Sequence, residues 1–166
     1  MRAPALLLIG GLALGASACA SPRPATLIAD APSAPQPVAG YDWFYNVDAD
    51  EARLAYGLEA SDDMRIGLDC RRGAGQLALS ASSPLQTAKD IYLESGGEPE
   101  RFAAEAEPSE LHEGVFLTAQ AETTAPVFQR FRRVGWLALW QGEEREAFAP
   151  HPASRDNIEQ FFVFCG

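Results

Sequence analysis

From Tyr41 to the end of the chain, apolar residues recur at every second position in short runs, and turn residues separate the runs. Met64, Ile66, Leu68 and Cys70 alternate with Arg65, Gly67 and Asp69. A period of two sends successive side chains to opposite faces of an extended strand, so the first set reads as a buried face and the second as a solvated one. The stretch 71–75, with two glycines, turns this run into another in which Leu77 and Leu79 share a face. That is a hairpin signature. Tyr41, Trp43 and Tyr45 alternate in the same way, and a run at 52–57 closes on the polar turn Ser61-Asp62-Asp63. Further runs lie at 89–93, 101–106, 114–120, 136–141 and 145–148, with turns at Gly96-Gly97 and Gly142-Glu143. Such short runs are those of an antiparallel sheet or small barrel.

Two segments carry a different period. Thr124 and Pro126 precede Val127, Phe128 and Phe131, while Arg130, Arg132 and Arg133 interleave and Gly135 follows. A threonine cap, an early proline, a basic last turn and a terminal glycine predict a helix at about 125–134. Ile158, Phe161, Phe162 and Cys165 stand at i, i+3, i+4 and i+7, which predicts a second helix over 154–164, opened near Ser154. The expected fold class is therefore α+β: a mostly antiparallel, curved or barrel-like sheet of seven to nine short strands with two short helices.

The 166 residues suit a single globular domain, placed at 41–166, and 47% hydrophobic residues are too many for a disordered chain. A formal charge of −10 argues against nucleic acid as a partner, because phosphate contacts dominate that affinity. The first eighteen residues are unlike the rest. Arg2 precedes a short apolar stretch at 5–16, too short to cross a hydrocarbon core of about 30 Å, and this reads as a secretory signal peptide. Ala16-Ser17-Ala18-Cys19 follows. It resembles the lipobox of bacterial lipoproteins, with Ala16 where leucine is usual.

That resemblance implies cleavage before Cys19, diacylation of its sulfur and a membrane partner held through the N-terminal lipid. Ala20 and Ser21, in place of an aspartate after the cysteine, imply sorting to the outer membrane, facing the periplasm. Removal of residues 1–18 takes away Arg2 and no acid, leaving twelve basic side chains against 23 acidic ones, a balance of −11. An anionic membrane repels such a body, so the acyl chains must hold it. Residues 19–40 contain Pro22, Pro24, Pro32, Pro35 and Pro37 and read as a linker reaching roughly 65 Å at about 3.1 Å per residue. Three cysteines leave an odd thiol in an exported protein unless one is modified. With Cys19 lipidated, Cys70 and Cys165 form an even pair without metal-site spacing, and a structural disulfide is expected.

Catalytic signatures are missing from the sequence: there is no glycine-rich phosphate loop, nucleophile elbow or HExxH motif. No cofactor or metal is expected. His112 and His151 lie in polar or proline-flanked sequence and read as surface residues. Asp62-Asp63 suits a turn, and Glu105, Glu107, Glu110 and Glu113 around His112 suit a solvated loop, although a general-acid pair in this stretch is the alternative. Two groups keep a binding role open. Arg130, Arg132 and Arg133 either complement a helix C-terminus or contact an anionic partner. Trp136 and Trp140 either belong to a buried central strand or form, with Trp43, a stacking platform for glycan or peptide.

Three functions follow. The first is a non-catalytic envelope lipoprotein, a tethered module contacting a periplasmic protein or cell-wall glycan. The second rests on the small, acidic, β-rich, disulfide-bonded body, which is similar to periplasmic lysozyme inhibitors, with Gly73-Ala74-Gly75 and the serines at 80–83 standing in for their inhibitory loop. The third is a small envelope hydrolase using carboxylates with His112 or His151.

Overall fold

A computed structural model of the chain describes residues 34–109 and 113–166. The leader read as a signal peptide, Cys19, most of the segment read as a linker, Glu110 and His112 lie outside the described residues. Nine strands appear where the alternating runs predict them: β1 (Tyr41–Asp48), β2 (Glu51–Leu58), β3 (Met64–Arg71), β4 (Gln76–Ser83), β5 (Asp90–Glu94), β6 (Glu100–Pro108), β7 (Val115–Glu122), β8 (Leu137–Gln141) and β9 (Glu144–Phe148). They form one antiparallel sheet in the order β1-β2-β3-β4-β7-β6-β5-β8-β9. The corner of this sheet is β6. Its residues 100–103 pair with β5, whereas 104–108 pair with β7, so one strand joins two differently oriented halves. The result is a nearly closed, barrel-like sheet.

What closes the gap between the edge strands is side-chain chemistry. Trp43 on β1 is fully buried, and its indole N–H donates to the Phe148 carbonyl of β9 at 3.1 Å. The preceding Asp42 carboxylate accepts from the His151 N–H at 3.1 Å and from the Ser154 hydroxyl. Asn157 donates its side-chain amide to the Trp43 carbonyl at 2.9 Å. These contacts tie β1 to β9 and to the start of α2 without backbone pairing between the two edge strands.

The helices are α1 (Pro126–Val134) and α2 (Arg155–Cys165), close to the expected spans. Their apolar faces join the same core as the strands. Trp43 packs on Phe131 at 5.0 Å between ring centroids, Phe128 on Phe102 at 5.7 Å, and Phe128 on Phe162 at 5.9 Å. Removing a buried ring of this kind costs about 3–5 kcal/mol. The expected threonine cap of α1 is absent, whereas Ser154 stands at the N-cap of α2 as expected, without a side-chain cap bond. Thr124 turns its hydroxyl to Glu122, and Ala125 occupies the cap position of α1. Ser154 gives its hydroxyl to Asp42, so tertiary closure outcompetes local capping there. At the other end of α1 the expectation holds: Gly135 is left-handed and returns its N–H to the Phe131 carbonyl at 2.8 Å.

The end of the linker reading also changes. Pro35 and Pro37 lie against the domain, lining a 270 Å³ hollow with Trp136, Pro150 and His151. His151 further fixes the segment through a 3.1 Å contact between Nε2 and the Val38 carbonyl.

Cys70 and Cys165 form the expected disulfide, with Cα atoms 5.7 Å apart and 95 positions between them. The β3–β4 turn receives the end of α2 as well. Gly73 and Gly75 donate their N–H groups to the Phe164 and Cys165 carbonyls at 2.9 Å, and the Thr123 hydroxyl donates to the Gly166 carbonyl at 2.6 Å. Carbonyls that a helix end leaves unpaired are thereby satisfied. Because a cross-link over so long a loop restricts the unfolded chain, the double variant Cys70→Ala/Cys165→Ala is expected to lose about 4–5 kcal/mol. Urea denaturation of the oxidised protein and the variant measures the difference.

Candidate functional site

One end of the barrel opens into a cleft of 670 Å³ where the two halves of the sheet face each other. Asp62 and Asp63 reach it from the β2–β3 turn, Glu113 from the approach to β7, and Glu144 and Glu146 from β9. Among the described residues, Arg65 is the one basic side chain on its wall. The remaining wall comes from residues such as Met64, Ser82, Pro84 and Leu139.

Arg65 reaches the cleft because β3 is irregular at its start. Tyr56 pairs with Ile66, but Gly57 pairs with Met64, leaving Arg65 as the extra residue of a bulge. The expected faces are corrected accordingly. Met64 shares the Gly67 side, where a Cβ on Gly67 would sit 3.3 Å from the Met64 sulfur. Arg65 instead turns to the cleft. Its Nη2 donates to the Tyr41 hydroxyl at 3.0 Å, and Nε lies 3.3 Å from Asp63 and 3.8 Å from Glu146. Tyr41 completes the group by donating to the Asp63 carboxylate. The charge of Arg65 is thus shared between Asp63 and Glu146, and no ion pair is described for Asp62, Glu113 or Glu144. Nearby, burial pushes the Tyr56 phenol up to about 12, helped by the charges of Asp42 and Glu146, so it stays neutral.

The residues singled out in the sequence are scattered. Arg130 donates to the Ser95 and Glu98 carbonyls and pairs with Glu100 at 2.9 Å, tying α1 to the β5–β6 turn. Arg132 grips Glu159 through two contacts and so joins α1 to α2. Arg133 is exposed. Of the three tryptophans, Trp43 belongs to the core and cannot be part of a stacking surface. Trp136 is 7% exposed and lies under the Arg145 guanidinium, 5.2 Å from the ring centroid. Trp140 is half-buried on the outer face of β8, where its N–H donates to Glu94 at 2.8 Å. The stand-ins for an inhibitory loop are engaged: Gly73 and Gly75 hold the end of α2, and Ser80 and Ser83 are buried.

His151 does not share the acidic cleft. Among the described residues no group of three or more His, Cys, Asp and Glu is placed to hold a metal ion. Neighbouring sequence positions gave no sign that Asp62-Asp63, Glu113, Glu144 and Glu146 converge. The one available signal was the surplus of acid itself.

Comparison with family models, with curated proteins and with solved structures gives no match.

Two predictions follow from this geometry. Gly114 sets the approach to β7, with φ at +121°, and a Cβ there would lie 2.0 Å from the Ser83 carbonyl oxygen. Gly114→Ala must shift backbone beside Glu113, and a loss of at least about 1–3 kcal/mol is expected in thermal or urea unfolding. The second concerns Glu94. Two hydrogen bonds from Arg145 hold its carboxyl below the usual range; burial opposes this, and the Trp140 N–H assists it. A lowered folded-state pKa gives stability that is present above the unfolded value, about 4.3, and lost as pH falls through the folded one. Urea midpoints should therefore fall below about pH 4.3, less steeply in Glu94→Gln.

Proposed function

We propose that this chain is a non-catalytic lipoprotein of a bacterial envelope, tethered through Cys19, whose barrel binds a basic protein partner at its acidic end. The observation that carries the reading is the cleft itself, in which Asp62, Asp63, Glu113, Glu144 and Glu146 face a single guanidinium, that of Arg65. Carboxylates of one sign gathered on low-dielectric walls focus the field at the mouth and raise the encounter rate with a cation. The excess of acid over the whole chain acts in the same direction at longer range. The lipobox-like leader and the proline-rich segment support an anchored body on the periplasmic side of the outer membrane.

A basic enzyme that cuts the cell wall is one partner of this chemistry, in keeping with the likeness to lysozyme inhibitors in size and charge. For the hydrolase alternative, His151 and the converging carboxylates occupy different hollows, and His112 lies outside the described residues.

Crosslinking in the native envelope followed by affinity purification tests the reading. A basic partner should be recovered, and Asp62→Lys together with Glu144→Lys should weaken its capture by about tenfold or more and flatten its salt dependence. A cationic lysozyme provides the direct assay for the enzyme-inhibitor form. Recovery of monomer alone, with turnover of a wall substrate by the purified protein, would overturn the proposal.

A further inference from the structure

A second, smaller hollow of 340 Å³ reaches from the core residues Ala81, Leu117 and Leu139 out to Tyr92 and Trp140 on β5 and β8. Its volume stands at the low end of the range for small-molecule sites, about 300–1,000 Å³. It suits one ring rather than an extended chain. Tyr92 and Trp140 are directly opposite each other in the β5–β8 pairing, on the outer face of the sheet, and both line the hollow. Tyr92 is 38% exposed and Leu85, at the rim, 44%. Trp140 cannot turn freely, because Glu94 holds its N–H at 2.8 Å and Arg145 holds Glu94 through two further bonds. An aromatic pair fixed in this way offers a preorganised apolar surface with a polar surround.

The polar groups at this hollow have a definite pattern. Asp90 is paired with Arg101 at 2.9 Å, and Glu94 with Arg145 at 2.8 Å. Lys89, the only lysine of the chain, lines the hollow and has no ion-pair partner among the described residues. Gln141 gives its amide N–H to the Ser82 carbonyl, which fixes the amide and leaves its oxygen to accept. Thr87 adds an exposed hydroxyl. The hollow thus combines an aromatic surface, a hydroxyl, an amide oxygen and one uncompensated cation, on a protein that is otherwise strongly acidic.

We propose that this hollow is a saccharide site for a pyranose ring that carries a carboxylate. The apolar C–H face of the ring would rest on Tyr92 and Trp140, its hydroxyls would meet Gln141 and Thr87, and its carboxylate would pair with Lys89. A neutral sugar leaves Lys89 without a partner, and a free anion leaves the aromatic pair unused. The site shares Ser83, Leu139 and Gln141 with the acidic cleft but none of its charged residues, so its ligand is a different one from the basic protein partner.

Titration of the purified protein with N-acetylmuramic acid, and with N-acetylglucosamine as its neutral counterpart, tests the assignment. The readouts are the NMR signal of the Trp140 indole N–H and tryptophan fluorescence. N-acetylmuramic acid should shift the Trp140 signal. N-acetylglucosamine should bind about tenfold more weakly, as should N-acetylmuramic acid to Lys89→Gln. Tyr92→Ala should weaken both sugars. Lys89 and Tyr92 are both exposed, and circular dichroism of their variants checks that the fold is retained. An unmoved Trp140 signal at saturating sugar, or equal affinity of the native protein and Lys89→Gln for N-acetylmuramic acid, would overturn the proposal.

Discussion

Asp42 and Trp43 hold the first strand of the sheet to the last strand and to the final helix. A sheet of nine strands has two edges, and here they are brought together without strand pairing: the Trp43 indole binds the backbone of β9, and the Asp42 carboxylate binds the connection into α2. The same tryptophan packs on Phe131, Tyr56 and Phe148. One buried ring therefore couples α1, β1, β2 and β9, and its position decides where the two halves of the sheet meet. The disulfide from Cys70 to Cys165 acts at the far end of α2, so this helix is fixed at both ends.

Closure of the sheet also creates the acidic mouth. Glu144 and Glu146 sit on a short edge strand, where charge normally discourages another strand from adding. Folding the two halves toward each other sets them opposite Asp63 and Arg65. Charges that protect an edge thus become the wall of a cleft. Arg65 is near enough to ease the repulsion between Asp63 and Glu146, and the cleft stays strongly negative.

Much of this was legible in the chain. Alternation located every strand of the sheet, and the spacing of Ile158, Phe161, Phe162 and Cys165 located α2, because local periodicity must match the face that is buried. Faces failed where the period was broken. The bulge at Arg65 reversed the sides of Met64 and Arg65, since a single extra residue is invisible to an alternation that continues on either side of it. The threonine cap failed for a related reason: Thr124 has the right chemistry, yet Glu122 takes its hydroxyl and Ala125 stands at the cap position, whereas Ser154 opens α2 where its place in the chain suggested.

Local pattern and composition are enough to specify the kind of body: short antiparallel strands, two helices with one apolar face each, a cysteine pair and a large excess of acid. Those properties depend on neighbours a few positions apart or on totals. It takes the folded arrangement to bring Asp62, Asp63, Glu113, Glu144 and Glu146 into one cleft, to make Arg130 and Arg132 brace α1, and to put Trp43 in the core while Trp140 stays half-buried on the outer face of β8. These outcomes turn on strand order and on the corner in β6, which bring together residues far apart in the chain.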